Sequence, residues 1–213
     1  MRKISPLDRL LIETDAALRT LSAPKNRECT REMPAELIPD APLRASEKKH
    51  VAGLMRINHA GEVCAQALYR GQALTAKLDT VRDQMNEAAL EEIDHLAWCE
   101  KRLQELESKP SMLNIFWYTH SWFIGAFAGL IGDKWSLGFV AETERQVTAH
   151  LEHHLKHLPK SDQRTKAILS QMKIDEMAHA ELAHNAGAAD LPPLIQQLMC
   201  AISKLLTKSC YYL

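Results

Sequence analysis

Glu92-Ile93-Asp94-His95 and Glu176-Met177-Ala178-His179 each follow a lone Glu on a preceding helix-like segment, Glu92 standing 30 residues after Glu62 and Glu176 standing 32 after Glu144. Such an interval holds one helix, a short turn and the return along the next helix. In a four-helix bundle it brings all six side chains to one level of the core. Residues three and four apart share a helix face, so a ligand pair aimed at the core interrupts an apolar stripe. Both pairs do. One stripe reads Val81, Met85, Ala88, Glu92, His95, Cys99, Leu103, Leu106, and the other Ile168, Met172, Glu176, His179, Ala183, Ala186. Glu144 sits among Leu137, Val140, Val147, Leu151 and Leu158, and Glu62 among Val51, Met55, Ala65 and Tyr69. The two further Glu-x-x-His matches fail this test. Glu181, of the pair with His184, lies roughly 140° round the helix from Glu176, and Glu47-His50 begins about 18 Å up-axis of Glu62.

Surface charges on helices in another register would explain any one of these residues. Six matching positions in a twice-repeated order point instead to a metal centre, because buried Glu is costly unless it is paired or coordinates metal. Four carboxylates and two neutral imidazoles balance two divalent cations, and hard oxygen donors with one nitrogen per ion suit iron or manganese. Two bridging and two terminal carboxylates leave open positions for dioxygen. Asp175, next to Glu176, is placed to orient His95 from outside, since a ligating His usually donates its other N–H to a carboxylate; a solvated surface Asp is the alternative. His150 is a proton donor or a packed histidine at the core edge, and His153, His154 and His157 line a polar face.

At 213 residues the chain is long enough for one domain with a real core. With 26 basic and 27 acidic side chains it makes no electrostatic case for nucleic acid. Cys29, Cys64, Cys99, Cys200 and Cys210 form no Cys-x-x-Cys pair and read as reduced thiols inside the cell. Asp8, Arg9 and Glu13 interrupt the apolar run that a signal peptide needs.

The organisation reads as all-α. Residues 1–45 form an arm: an amphipathic helix from Pro6 to Leu21, then a segment with Pro24, Pro34, Pro39 and Pro42 that cannot be continuous helix. Residues 46–190 hold the bundle, with helices expected at Ser46–Lys77, Thr80–Glu107, Ser111–Ile131, Lys134–Leu158 and Ser161–Ala186, and residues 191–213 carry a last amphipathic helix. Gly53, Gly61 and Gly71 each weaken the first bundle helix by about 1 kcal/mol relative to Ala, and close packing is the expected reason for all three.

Residues 111–132, SMLNIFWYTHSWFIGAFAGLIG, carry no Asp, Glu, Lys or Arg. A full membrane span there would put the two ligand pairs on opposite sides of the bilayer, so it is rejected. A crossover helix between the two hairpins is required, and a stretch of this length covers it. Its aromatic residues Phe116, Trp117, Tyr118, Trp122, Phe123 and Phe127 resemble an interfacial membrane helix; burial against the bundle or a second subunit is the alternative. The last helix, with Ile195, Leu198, Met199, Ile202, Leu205 and Leu206 on one face, adds a second membrane contact or packs.

Asn58-His59-Ala60-Gly61-Glu62, Glu92 to His95, Glu144 with His150, and Asp175 to His179, spread over an uncharged aromatic crossover, resemble the demethoxyubiquinone hydroxylases of ubiquinone biosynthesis, and the match runs from about Val51 to Ala189. The resemblance implies a ferritin-like four-helix bundle with a long apolar crossover and flanking terminal segments. It implies Glu62, Glu92, Glu144 and Glu176 as carboxylate ligands of two iron ions, with His95 and His179 as nitrogen ligands and Tyr69 and His150 nearby. Glu142 competes with Glu144. The implied reaction is a monooxygenase step: with dioxygen and two external electrons, a ring hydrogen of a polyprenylated methoxy-methyl quinol is replaced by hydroxyl, and the second oxygen leaves as water. No dinucleotide-binding unit is present, so the electrons come from transient NADH, a partner or the quinol itself. The apolar helix would leave the prenyl tail in lipid, on the cytoplasmic side of the cell membrane. A homo-oligomer through the crossover, or contact with other ubiquinone-biosynthesis proteins, is compatible. An iron-oxidising or iron-storing protein on the same bundle and a non-enzymatic helical scaffold are the alternatives.

Overall fold

A computed structural model of the chain describes residues 5–22, 27 and 29–213, and every regular element among the described residues is helical. The expected turn residue Pro24 lies outside them. Helix α1 spans Pro6–Leu21, α2 Ala45–Thr75, α3 Asp79–Glu105, α4 Asn114–Ile131, α5 Asp133–His157, α6 Gln163–Asn185 and α7 Pro193–Cys210, within a few residues of the helices the periodicity predicts.

The apolar stripes assemble into two cores. One gathers Val51, Met55, Trp98, Cys99, Leu103, Leu151, Ile168, Leu169 and Met172; the other gathers Ala65, Tyr69, Ala73, Val81, Met85, Val140, Ala141 and Ala183. Each of α2, α3, α5 and α6 therefore runs from one core to the other, with α2 and α6 in one direction and α3 and α5 in the opposite one. This is the bundle with one crossover. The residues between the two cores on all four helices are the predicted ligands.

Helix α4 is that crossover and lies along α2. The contact is close because it is made by glycines: a Cβ on Gly125 would stand 2.2 Å from the Leu68 carbonyl oxygen, and one on Gly71 would stand 2.3 Å from the Trp122 carbonyl oxygen. No helix among the described residues is long and apolar enough to cross a membrane. The aromatic residues of α4 divide between two faces: Trp117 and Tyr118 are buried, whereas Phe116, Phe123 and Phe127 are exposed together with Ile115, Leu130 and Ile131. Gly132, at φ 139°, a backbone conformation that L side chains rarely adopt, breaks the chain between α4 and α5.

The arm beyond α1 is tied to the outside of α3 and α6. Arg27 pairs with Glu100 at 2.8 Å, Arg31 with Asp94 at 3.0 Å and with Asp175 at 2.9 Å, and Glu36 with Lys101 at 2.5 Å. Arg164 of α6 donates to the carbonyls of Ala35 and Ile38. On α1, Ser5 and Asp8 form a capping box, Glu13 pairs with Arg70 of α2, and Leu7, Leu10, Leu11 and Leu18 stay exposed.

Two expectations need correction. Gly53 and Gly71 serve close packing, Gly53 against the Tyr211 ring, but a Cβ on Gly61 would meet nothing within 4 Å. His154 does not line a polar face; it is 3 % exposed, and its Nδ1 lies 2.9 Å from Asn58 Oδ1. The helical register carries His154 inward while His153 and His157 stay outside.

Candidate metal centre

Two quartets of ligand atoms come together between the cores, Glu62, Glu92, His95 and Glu176 in one and Glu92, Glu144, Glu176 and His179 in the other, with the atoms of each within 4.8 Å of one another. All six predicted residues are buried. Glu92 and Glu176 belong to both quartets, and their geometry shows why. His95 Nδ1 is 3.0 Å from Glu92 Oε2 and 3.1 Å from Glu176 Oε1. His179 Nδ1 is 3.4 Å from Glu92 Oε1 and 3.2 Å from Glu176 Oε2. Each of these two carboxylates thus turns one oxygen toward each imidazole, as a bridging ligand would. Glu62 Oε2 stands 3.7 Å from His95 Nδ1, and Glu144 accepts a bond from the Tyr69 hydroxyl; these two have the place of terminal ligands.

The choice between Glu142 and Glu144 is a matter of which way α5 turns. Glu142 bonds Arg145 and Gln146, while Glu144 joins the quartet.

The electrostatics call for cations. Burial, reinforced by the charge of Glu92, pushes the Glu62 carboxyl well above the usual range, and burial with the charges of Glu176 and Glu92 does the same to Glu144. Burial would raise Glu92 too, but the charge of His95 and bonds from His179 and His95 hold it well below its ordinary value. His179 shows the reverse: burial lowers it, yet its bonds to Glu176 and Glu92 carry it up to about 12. Two of the four carboxyls thus favour the protonated form, and Glu92 Oε1 is buried with only the His179 ring beside it, Nδ1 at 3.4 Å and out of line for a well-formed hydrogen bond. Two divalent ions would supply the same positive charge and occupy that oxygen, and four carboxylates with one imidazole nitrogen per ion are the donors iron or manganese prefers. The residues present fit such a pair.

Each imidazole keeps its Nε2 for an acid outside the cluster. Asp175 Oδ2 is 2.9 Å from His95 Nε2, and burial of Asp175 is outweighed by bonds from His95, Gln171 and Arg31 that lower its carboxyl to about 2. Glu91 Oε2 is 2.5 Å from His179 Nε2. Sequence reasoning names Asp175 and misses Glu91, although Glu91 precedes Glu92 as Asp175 precedes Glu176. The acid before each motif holds the histidine of the other. Tyr69 touches Glu144; its hydroxyl is pushed well above the usual range by burial and by the charges of Glu144 and Glu92. His150 is not at the cluster: its Nε2 lies 2.8 Å from Ser203 Oγ.

A cavity of about 330 Å³ reaches Glu62 from the side, between α2, α4, α5 and α7. Ile57, Leu68, Phe139, Leu198 and Ile202 give it apolar walls, and Asn58, Ser121, Thr143, Gln146 and His150 place polar groups along it. Gly61 lines it beside Glu62. The apolar face of α7 is thereby accounted for in part, since Ile195, Leu198, Met199, Ile202 and Leu206 wall this cavity while Leu205 faces outward.

The chain matches the family described as "Ubiquinone biosynthesis protein COQ7" over residues 49–210. It is 62 % identical to a protein of Legionella pneumophila (strain Corby) and 58 % identical to one of Acinetobacter baylyi, each over the full length of both chains. It is 54 % identical to one of Polynucleobacter necessarius over 98 % of this chain and 99 % of the relative. All three relatives are named 3-demethoxyubiquinol 3-hydroxylase. The matched segment runs through every helix of the bundle and all six clustered residues, and the chain belongs to the COQ7 family of ubiquinone-biosynthesis proteins.

Proposed function

We propose that this chain hydroxylates the ring of a demethoxyubiquinol, a polyprenylated methoxy-methyl benzoquinol, at a di-iron centre held by Glu62, Glu92, Glu144, Glu176, His95 and His179. The observation that carries the reading is the apolar cavity ending at Glu62 of a buried four-carboxylate, two-histidine cluster. An iron pair held there would supply the redox chemistry of a monooxygenase step, whose balance is one oxygen atom of dioxygen into the ring C–H bond and the other into water with two external electrons and two protons. The protein's part is placement and exclusion of water. Ile57, Leu68, Phe139, Leu198 and Ile202 give an apolar lining against which a bound ring would displace water, and Asn58, Thr143 and Gln146 offer oxygens that accept from the hydroxyls of a quinol ring. Tyr69 donates to Glu144 and holds that carboxylate in one rotamer. Asp175 and Glu91 fix the histidine rings from Nε2 and keep Nδ1 toward Glu92 and Glu176, where it would be free to hold a metal ion. The electron donor is NADH, a partner or the quinol.

The exposed apolar residues of α1 and α4 support attachment to a membrane surface, from which a prenyl tail need not leave. An iron-storage protein on this bundle has no use for that cavity or that face. The test is a mass-spectrometric quinone profile of a bacterium that relies on this chain alone for the step, carrying the native chain or Glu144→Ala. The variant is expected to accumulate a quinone lighter than ubiquinone by one methoxy group. An unchanged ubiquinone pool defeats the reading and favours iron handling.

A further inference from the structure

The two imidazoles of the cluster are held from outside by unequal means. On the His95 side, Asp175 is locked from several directions: its Oδ2 accepts from His95 Nε2 at 2.9 Å and from Arg31 at 2.9 Å, and its Oδ1 accepts from Gln171 at 2.9 Å. Arg31 comes from the arm, and it also donates through Nε to Asp94 at 3.0 Å. Asp94 is the residue before His95, 1 % exposed, and its two oxygens accept in addition from the backbone N–H and the hydroxyl of Thr30 at 2.7 and 2.8 Å. The Arg31 guanidinium then lies 4.9 Å over the ring of Trp98, which stands 5.3 Å from the His95 ring. One arm residue thus touches three neighbours of one ligand, brings its Nη2 to 3.4 Å from that ligand's own Nε2, and links α3 to α6.

On the His179 side only Glu91 is in place, at 2.5 Å, and its side chain is 58 % exposed. Among the described residues it has no cation pairing that matches Arg31 on Asp175. A long, water-competed carboxylate loses rotamer freedom when it is held, whereas Asp175 is fixed before any ion arrives.

We propose that Arg31 is a positioning residue through which the N-terminal arm makes the two metal positions inequivalent, the ion at His95 being bound more tightly than the ion at His179. The inference rests on the di-metal reading above. Its physical basis is that an acid holding a ligating imidazole sets ring orientation and basicity, and loss of such a partner typically weakens metal affinity about 10–100-fold. Arg31 acts through that acid: with Nδ1 turned to an ion, His95 Nε2 carries the proton it gives to Asp175 and accepts nothing from the Arg31 Nη2 that stands 3.4 Å away. Its charge does not repel the ion on the far side of the ring, because two carboxylates, Asp94 and Asp175, lie against it.

The test is anaerobic titration of the metal-free full-length chain with Mn2+, followed by calorimetry and by electron paramagnetic resonance, which separates a lone Mn2+ from a coupled pair. Expected for the native chain are two steps, with the lone-ion species populated first. Arg31→Ala should weaken the first step about tenfold or more and leave the second within about twofold, so that the lone-ion species is lost. Arg31→Lys keeps the charge without the two-pronged geometry and should restore the first step in part, which separates positioning from loss of fold. Glu91→Gln should weaken the second step alone. Equal weakening of both steps in Arg31→Ala, or no change in either, overturns the proposal, as does a native chain that fills only as a coupled pair. A native chain that binds fewer than two Mn2+ removes the di-metal reading itself, a different result from any of these.

Discussion

Gly61→Ala separates the needs of the fold from those of the reaction. Gly61 sits inside the 31-residue helix α2, where Gly costs about 1 kcal/mol relative to Ala. Gly53, Gly71, Gly125, Gly129 and Gly138 all have atoms close to where a Cβ would stand; Gly61 has none within 4 Å. The added methyl therefore meets empty space, and the substitution should stabilise the protein by about 1 kcal/mol, raising Tm by about 2–4 °C for a chain of this size. That space is the cavity beside Glu62. A surplus methyl in an apolar substrate site costs about 1–3 kcal/mol of transition-state binding, a fall in kcat/KM of roughly 10–200-fold. The expected variant is a more stable, iron-replete, poorly active enzyme. The assay is paired: thermal unfolding with metal analysis, and turnover of a short-chain demethoxyquinol under air with a chemical reductant. A raised Tm with unchanged kcat/KM would refute the view that the ring binds against Gly61. A lowered Tm would refute the geometric premise.

Gly125→Ala should behave in the opposite way, because its Cβ would stand 2.2 Å from the Leu68 carbonyl oxygen and 2.9 Å from the Leu68 Cα; overpacking of this kind costs about 1–3 kcal/mol, and thermal unfolding at or above the native Tm would count against the α2–α4 contact. His154 carries a pH dependence: burial first, then repulsion from His150 and His153, lowers it from 6.5 to about 3. Its depressed value means the unfolded chain takes up a proton that the folded one does not, so stability falls as pH drops below about 6.5, by about 1.4 kcal/mol per unit until about pH 3. His154→Gln, which keeps a donor for Asn58, should flatten that limb in denaturant titrations between pH 6 and pH 4, and identical slopes in both proteins would contradict the assignment. Phe123→Ser with Phe127→Ser removes two side chains that are 63 % and 66 % exposed; sedimentation with anionic phospholipid vesicles should drop while Tm stays within about 2 °C, and undiminished binding would rule α4 out as the lipid-facing element.

The metal cluster was readable because ligands and apolar residues share one period. Glu62, Glu92, Glu144 and Glu176 each fall in line with side chains that the structure buries, such as Met55, Met85, Val140 and Met172, and a buried Glu needs a metal ion, a charged partner or a proton; four on one level share too few partners to do without metal. Glu91 carries the same signal as Asp175, one place before its motif, and the symmetry of the two motifs is what points to it. Arg31 had no signal. It meets Asp94 and Asp175 across 63 and 144 residues of chain, from a segment with no periodicity to fix where it lies. His154 carries a signal too: Leu151 and Leu158 stand three before and four after it, so the stripe that turns Glu144 inward turns His154 inward as well. The division of the α4 aromatics has no such charge pattern behind it, since a helix without charges has no polar face from which to read its orientation. Gly125 and Gly129 would have supplied one, as close packing against α2 puts them, Ser121 and Trp117 inside and Phe123 and Phe127 outside.

That packing also fixes the character of the cavity. Its α2 and α4 walls are one body: backbone touches backbone at Leu68 and Gly125, the Thr75 hydroxyl bonds the Ala126 carbonyl at 2.9 Å, and neither helix can move without the other. Since α2 also carries Glu62 and Tyr69, this wall is rigidly referenced to the metal cluster. The α7 wall is anchored mainly near its end, where Arg56 donates to the carbonyls of Cys210 and Tyr211 and the Tyr211 ring covers Gly53. Ahead of that end, among the described residues, α7 is held to α5 by the His150–Ser203 bond at 2.8 Å and by a bond from Gln146 to the Gln196 carbonyl at 3.3 Å, while Leu194 and Leu198 remain largely exposed. A ring placed against the stiff wall keeps its distance to Glu62 whatever the tail attached to it. With the tail left at the membrane surface as proposed above, only the ring has to fit the cavity of about 330 Å³, so one substrate class would vary in chain length without disturbing the chemistry at its head.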